Sequence, residues 1–171
     1  MEDRNTERET DMRDQLATLG NGAHALAIQI LGNRDDAADA VHDAFAQALA
    51  RPQAWDRRRG PLRPWFLRVV RNRCIDLLRR RRPAGGPVEE LVAPGAAPDA
   101  VLETQQRDRG LQRALLGLAP EQRQVLVLRD YMDLSYAEIA AVLDIAPGTV
   151  MSRLHRARLA LRQRLESDHD D

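Results

Sequence analysis

Apolar positions recur at helical spacing in several separate stretches of the chain. Ala23 to Leu31 reads as a short apolar helix stopped by Gly32, and Asn33 then supplies an N-cap for a second helix from about Arg34 to Ala50. On that second helix Val41, Ala44, Phe45, Ala48 and Leu49 share one side. Asp36, Asp39, Asp43 and Gln47 share the other, with His42 at the edge. After a break at Gly60 and Pro61, Pro64 suits the first position of a long helix running to about Arg82. Phe66, Val69, Val70, Cys74, Leu77 and Leu78 fill one arc of it, and Arg68, Arg71, Asn72, Arg79 and Arg82 the opposite arc. Arg73 falls inside the apolar arc, where it must snorkel or meet a carboxylate.

Between Pro83 and Pro98 the periodicity gives way to Pro, Gly and Ala, the composition of a linker. Beyond it the pattern predicts a helix near Leu102 to Leu116 and another from Pro120 to about Met132. Ser135 followed by Glu138 is a capping box that opens a short helix, Tyr136 to Leu143. Asp144 to Ala146 make a tight turn and Pro147 restarts a helix, on which Val150, Leu154, Ala157 and Leu161 recur on one side. Helix, tight turn and helix form a helix-turn-helix. The predicted fold is therefore all-α: two small helical domains, residues 1–82 and 105–171, joined by a flexible linker over residues 83–104.

Composition agrees with helices: aromatic residues are 4% of the chain, so its cores pack mostly Leu, Val, Ile and Ala. A single Cys cannot form an internal disulfide, no apolar run approaches a membrane span, and the charged opening is no signal peptide. A cytoplasmic protein without membrane insertion is the expectation. The formal charge of zero hides strong segregation. Residues 1–50 hold four Arg against ten acids, whereas residues 51–82 hold twelve Arg against Asp56 and Asp76; residues 145–165 hold five Arg and no acid. Two basic blocks result, built from Arg alone, which suits bidentate contact with phosphate or guanine.

The blocks differ in kind. On the second helix of the helix-turn-helix, Thr149, Ser152, Arg153 and Arg156 lie near the N-terminal end, where a helix inserted in a major groove reads base edges. Arg158, Arg162 and Arg164, further along, suit phosphates. The first block interleaves its arginines with Trp55, Trp65 and Phe66, and guanidinium groups beside aromatic faces suit unstacked bases. Phe66 belongs to the core by its position; Trp65, at the edge of the apolar arc, is left open between core and surface. The acidic face Asp36, Asp39, Asp43 and Gln47 is either a solvated surface or a docking surface for a helical partner. The four His have no ligand-type spacing, Cys74 sits on an apolar face, and there is no glycine-rich phosphate loop or paired-Cys motif. No enzyme, metal or cofactor is expected.

Three strings, ILGNRDDAADAVHDAFAQAL, RPWFLRVVRNRCIDLLRRRR and LAPEQRQVLVLRDYMDLSYAEIAAVLDIAPGTVMSRLHRARLALRQRL, in this order, resemble the extracytoplasmic-function sigma factors, bacterial initiation factors of two helical domains. The resemblance implies a subunit that binds core RNA polymerase and directs it to promoter DNA. It implies polymerase contacts at Asp39, His42, Asp43 and Phe45. It implies contacts with the opened minus-10 element at Arg58, Arg59, Arg63, Trp65, Arg68, Arg71, Asn72, Arg79 and Arg80, and reading of the minus-35 duplex by Thr149, Ser152, Arg153 and Arg156. Members are commonly held inactive by an anti-sigma factor that covers both DNA-binding domains, so such a partner is a further implication. The alternative is a stand-alone helix-turn-helix repressor or activator on duplex operator DNA. The Arg block with embedded aromatics favours the sigma reading, because a duplex binder has no use for it.

Overall fold

The computed structural model of the protein describes residues 2–81 and 104–167, so the predicted linker lies outside the described residues apart from Thr104. The described residues form eight α-helices and no strand: α1 (Glu2–Ala17), α2 (Gly20–Leu31), α3 (Arg34–Ala50), α4 (Leu62–Arg80), α5 (Thr104–Leu116), α6 (Pro120–Leu126), α7 (Tyr136–Leu143) and α8 (Pro147–Ser167). Short 3-10 turns at Pro52–Ala54 and Arg57–Arg59 shape the connection between α3 and α4.

The punctuation expected from the sequence is present as chemistry. Gly32 takes the left-handed conformation at φ 67°, ψ 7° and its N–H closes α2 onto the Ile28 carbonyl. The Asn33 side chain accepts from the N–H groups of Asp35 and Asp36, the orphan donors of the first turn of α3. Ser135 and Glu138 complete both halves of the capping box on α7. Two boundaries differ and one helix is added. α2 starts at Gly20 rather than Ala23, α4 starts at Leu62 so that Pro64 sits within its first turn, and α1 precedes them without an apolar stripe to announce it. Among the described side chains of α1, only Met12 and Leu16, one turn apart, are buried with the core residues.

Helices α2, α3 and α4 pack on one another, with α1 laid across α3 and α4. Phe66 is fully buried, and Phe45 meets it with ring centroids 4.7 Å apart and planes tilted by 46°. The sequence grouped Leu49 with the apolar side of α3, but it is 42% exposed at the last turn of the helix. In the second half α6, α7 and α8 form the helix-turn-helix body and α5 packs on α8.

The segment expected as one helix from Pro120 to Met132 is α-helical only to Leu126 and continues as a π turn, Val127–Tyr131. Val125, Leu126, Val127 and Leu128 are all buried. Four consecutive apolar residues cover every side of a helix, so this segment needs cover on two sides. It has α8 on one side and α2 on the other. One hydrophobic cluster of the described residues therefore runs through both halves.

Cys74 is wholly buried on α4, and desolvation pushes its thiol up to about 12 from an ordinary 9.0. A thiol-reactive reagent at pH 8 is therefore expected to label the chain only after denaturant is added. As the pH rises past 9.0 the unfolded chain loses this proton first, so stability falls progressively toward pH 12.

Candidate nucleic-acid interface

The loop before α4 owes its shape to three local interactions. Trp55 Nε1 donates to the Gly60 carbonyl at 3.2 Å, the Asp56 carboxylate accepts from the Arg58 N–H at 3.0 Å, and Gly60 sits at φ 139°, a backbone closed to side chains. The Arg57 guanidinium lies 5.1 Å from the centre of the Trp55 ring and pairs with Asp11 of α1. That locks Arg57 into the fold and leaves Arg58 and Arg59 exposed.

Helix α4 buries Phe66, Leu67, Val70, Cys74 and Leu78 and turns the opposite arc outward. Arg68, Asn72, Arg79 and Arg80 are exposed there, and Trp65 is half-buried at the margin. Arg79 and Arg80 carry no ion pair among the described residues, so a positive end faces solvent. Four other arginines of the block meet groups elsewhere in the fold. Arg73, the misfit of the apolar arc, finds the Asp43 carboxylate of α3 at 2.8 Å. Arg81 holds Asp36 with both terminal guanidinium nitrogens, Nη1 at 2.5 Å and Nη2 at 2.7 Å, and keeps that carboxyl below its usual range. Arg63 donates to the Met132 carbonyl in the other half of the chain. Arg71 is half-buried with Nε unpartnered, and desolvation lowers its pKa, with Asp144 opposing that shift.

On α8, Val150, Leu154 and Ala157 face the core. Ser152 and Arg156 are exposed, while Thr149 and Arg153 are half-buried. Arg158, grouped with the phosphate-facing residues on sequence, is instead clamped by Asp130, its Nε donating at 3.2 Å and Nη2 at 2.5 Å. Arg162 is exposed beside Glu166, 3.6 Å away. Arg164 lies over Gly117, where a Cβ would fall 2.3 Å from Nη1, so a larger residue there would displace the guanidinium. Arg123 is withdrawn from the surface altogether: it is buried, and its Nη1 donates to the Leu116 carbonyl at 2.9 Å, joining α6 to the end of α5.

On α3, Asp39 and His42 are exposed, and Asp43 is exposed but engaged by Arg73. Phe45 turns inward onto Phe66, which gives it a packing role instead of an outward contact.

Residues 17–84 match the sigma-70 region 2 family and residues 108–161 match sigma-70 region 4. The ECF RNA polymerase sigma factor SigW of Bacillus subtilis is 31% identical over 154 residues, spanning 83% of this chain and 82% of that protein. The chain belongs to the ECF sigma factors of the sigma-70 family. Sigma factor SigM of Mycobacterium tuberculosis is 37% identical over 142 residues, covering 83% of this chain and 70% of its own. Among solved structures, the sigma factor RpoE of Bartonella quintana, in complex with the anti-sigma factor NepR, superposes with a TM-score of 0.72 at 28% identity, covering 92% of this chain and 98% of that one. As a sigma factor, this chain binds RNA polymerase and directs it to promoters. Its region 2 contains α2, α3 and α4 with their basic loop, and its region 4 contains the helix-turn-helix of α7 and α8. Among the described residues, no helix is long and apolar enough to cross a membrane.

Two features of this surface escape sequence patterning. Arg57 looks like one more cation of the Arg-rich loop, yet its partners are 46 residues away on α1 and next door on Trp55. Asp144 looks like a turn residue and is one, at φ 56°, but its carboxylate also lies 3.8 Å from Arg68.

Proposed function

We propose that the sigma factor divides its work between units at residues 1–82 and 105–171, joined by the linker at 83–104, within the cytoplasm. Asp39, His42 and Asp43 dock on the clamp coiled coil of the polymerase, with Phe45 holding α3 in register through Phe66. Arg58, Arg59, Arg68, Asn72, Arg79 and Arg80, with Trp65, grip the opened minus-10 strand; Arg63 and Arg71 join them when the two halves separate. Thr149, Ser152, Arg153 and Arg156 read the minus-35 duplex. The observation that carries this reading is the outward face of α4 together with its loop, where exposed guanidinium groups flank a half-buried indole. Cations beside an aromatic face hold a single strand by phosphate neutralisation and base stacking. Catalysis stays with the polymerase, and the chain acts as a specificity subunit. An anti-sigma protein that covers both DNA-binding surfaces is the regulatory partner, a reading supported by likeness to the RpoE–NepR complex.

Gel filtration with core polymerase tests the docking. The chain is expected to co-elute with core, and Asp39→Arg to weaken co-elution while leaving the helical circular dichroism spectrum intact. Failure of the unmodified chain to co-elute with a core preparation that accepts other sigma factors overturns the proposal.

A further inference from the structure

Two large apolar side chains of α8 stand in solvent, Met151 at 58% exposure and Leu159, two turns further on, at 49%. Isolated apolar residues are ordinary on a surface. Met151 is set apart by its place, the second turn of α8, at the end that enters a major groove. Ser152 marks the middle of the outward arc there, opposite Val150, Leu154 and Ala157. Thr149 and Arg153 lie on one flank of Ser152 and are half-buried, whereas Met151 and His155 lie on the other and are exposed. The open part of the reading end is therefore displaced toward Met151.

We infer that Met151 is a specificity-determining residue whose side chain packs on the C5-methyl of a thymine in the minus-35 duplex. The inference rests on the proposed assignment of α8 to that duplex and adds to it one base that the helix prefers.

The two flanks of α8 differ in chemistry. Ser152 Oγ donates to the Thr149 carbonyl at 3.1 Å and Arg156 Nε to the Ser152 carbonyl at 3.3 Å, so both polar side chains lie back along their own helix. Two turns beyond Met151 on its own flank, Arg158 is taken up by Asp130. Charge therefore belongs to the side of Arg153 and Arg156, and the other side meets DNA first with a thioether. The C5-methyl is the apolar group that a base edge presents in the major groove, and it marks thymine without a hydrogen bond. Methionine suits it, being unbranched, with a polarizable sulfur and enough rotatable bonds to reach from the flank of the helix to the groove floor. Bringing the two together removes apolar surface of both from water. The scale is that of one buried methyl, roughly threefold to tenfold in affinity.

Duplex binding by the holoenzyme, assembled from the full chain and core polymerase, tests this through the DNA. The holoenzyme selects its minus-35 sequence from a duplex pool randomised over that element. Each thymine of the selected duplex is then replaced by uracil, which removes the C5-methyl and keeps the hydrogen-bonding edge. At one or two thymines the replacement is expected to lower affinity roughly threefold to tenfold. Met151→Ala should weaken the thymine duplex by a similar factor and bring the thymine-to-uracil ratio to about one. Met151→Leu, still apolar, should keep most of that ratio. Met151→Lys should lose it while binding both duplexes more tightly, with a salt slope steeper by about one unit. Because the side chain is exposed, all three variants are expected to keep the helical circular dichroism spectrum. A selected element without thymine, equal binding of thymine and uracil duplexes at every position, or a ratio that survives Met151→Ala overturns the inference alone. A pool with no enrichment over the element overturns the assignment of α8 to the minus-35 duplex, and this inference with it.

Discussion

Phe66→Ala is expected to lower the stability of the chain by roughly 3–5 kcal/mol, the cost of emptying a large buried aromatic site. Phe66 is fully buried at the junction of α3 and α4, and Phe45 lies against it at 4.7 Å. Removing the ring leaves Phe45 without its neighbour and opens a void that backbone helices cannot fill by themselves. In thermal denaturation the midpoint should fall by on the order of 10 °C, at about 2–4 °C per kcal/mol for a chain of this size. The consequence extends beyond stability. Phe66 fixes the roll of α4, which carries the outward arginines on one side, and braces α3, which carries Asp39 and His42 on the other. Phe66→Ala should therefore weaken polymerase co-elution and oligonucleotide binding together, whereas Arg79→Ala should touch oligonucleotide binding alone. A midpoint within a few degrees of the unmodified chain would show that the Phe45–Phe66 contact is peripheral.

Arg153→Ala and Arg162→Ala are expected to differ in kind. Arg153 lies near the start of α8, where side chains enter the groove, so losing it should cost about 1–3 kcal/mol on promoters that present the matching base, roughly 5- to 150-fold, and much less on others. Arg162 is exposed further along the helix, beside Glu166 at 3.6 Å. Its loss should weaken every promoter alike and make the salt dependence shallower by about one unit of slope. Arg158 supplies a control. Asp130 clamps it with two hydrogen bonds, so Arg158→Ala should perturb region 4 stability before it perturbs salt dependence. Binding titrations at several salt concentrations on two promoters of different minus-35 sequence separate the three. Equal losses on both promoters for Arg153 and Arg162 would refute the division between base and phosphate contacts.

Most helix ends were legible along the chain because the signals are local. Gly32, Asn33, the Ser135–Glu138 box and Pro147 act on backbone groups within a few residues of themselves, and each does so here. Helix α1 was not legible for the complementary reason. Among its described side chains Met12 and Leu16 are the buried apolar ones, too few to form a periodic stripe, and α1 packs on α3 and α4 with the Arg57–Asp11 pair beside it. Helical spacing told correctly which side of α4 is apolar. It was silent on Trp65, which is half-buried and packs against the core.

What the amino-acid order determined by itself is the set of elements, the helix-turn-helix, the segregation of charge into two blocks and the family resemblance, since all of these rest on neighbours close in sequence or on ordered motifs. Only the tertiary structure decided which arginines remain available. Arg73, Arg81 and Arg158 are engaged by carboxylates 30, 45 and 28 residues away, and Arg63 by a carbonyl 69 residues away. A helical face states that a guanidinium points away from its own core; what it meets there is set by the packing of distant helices.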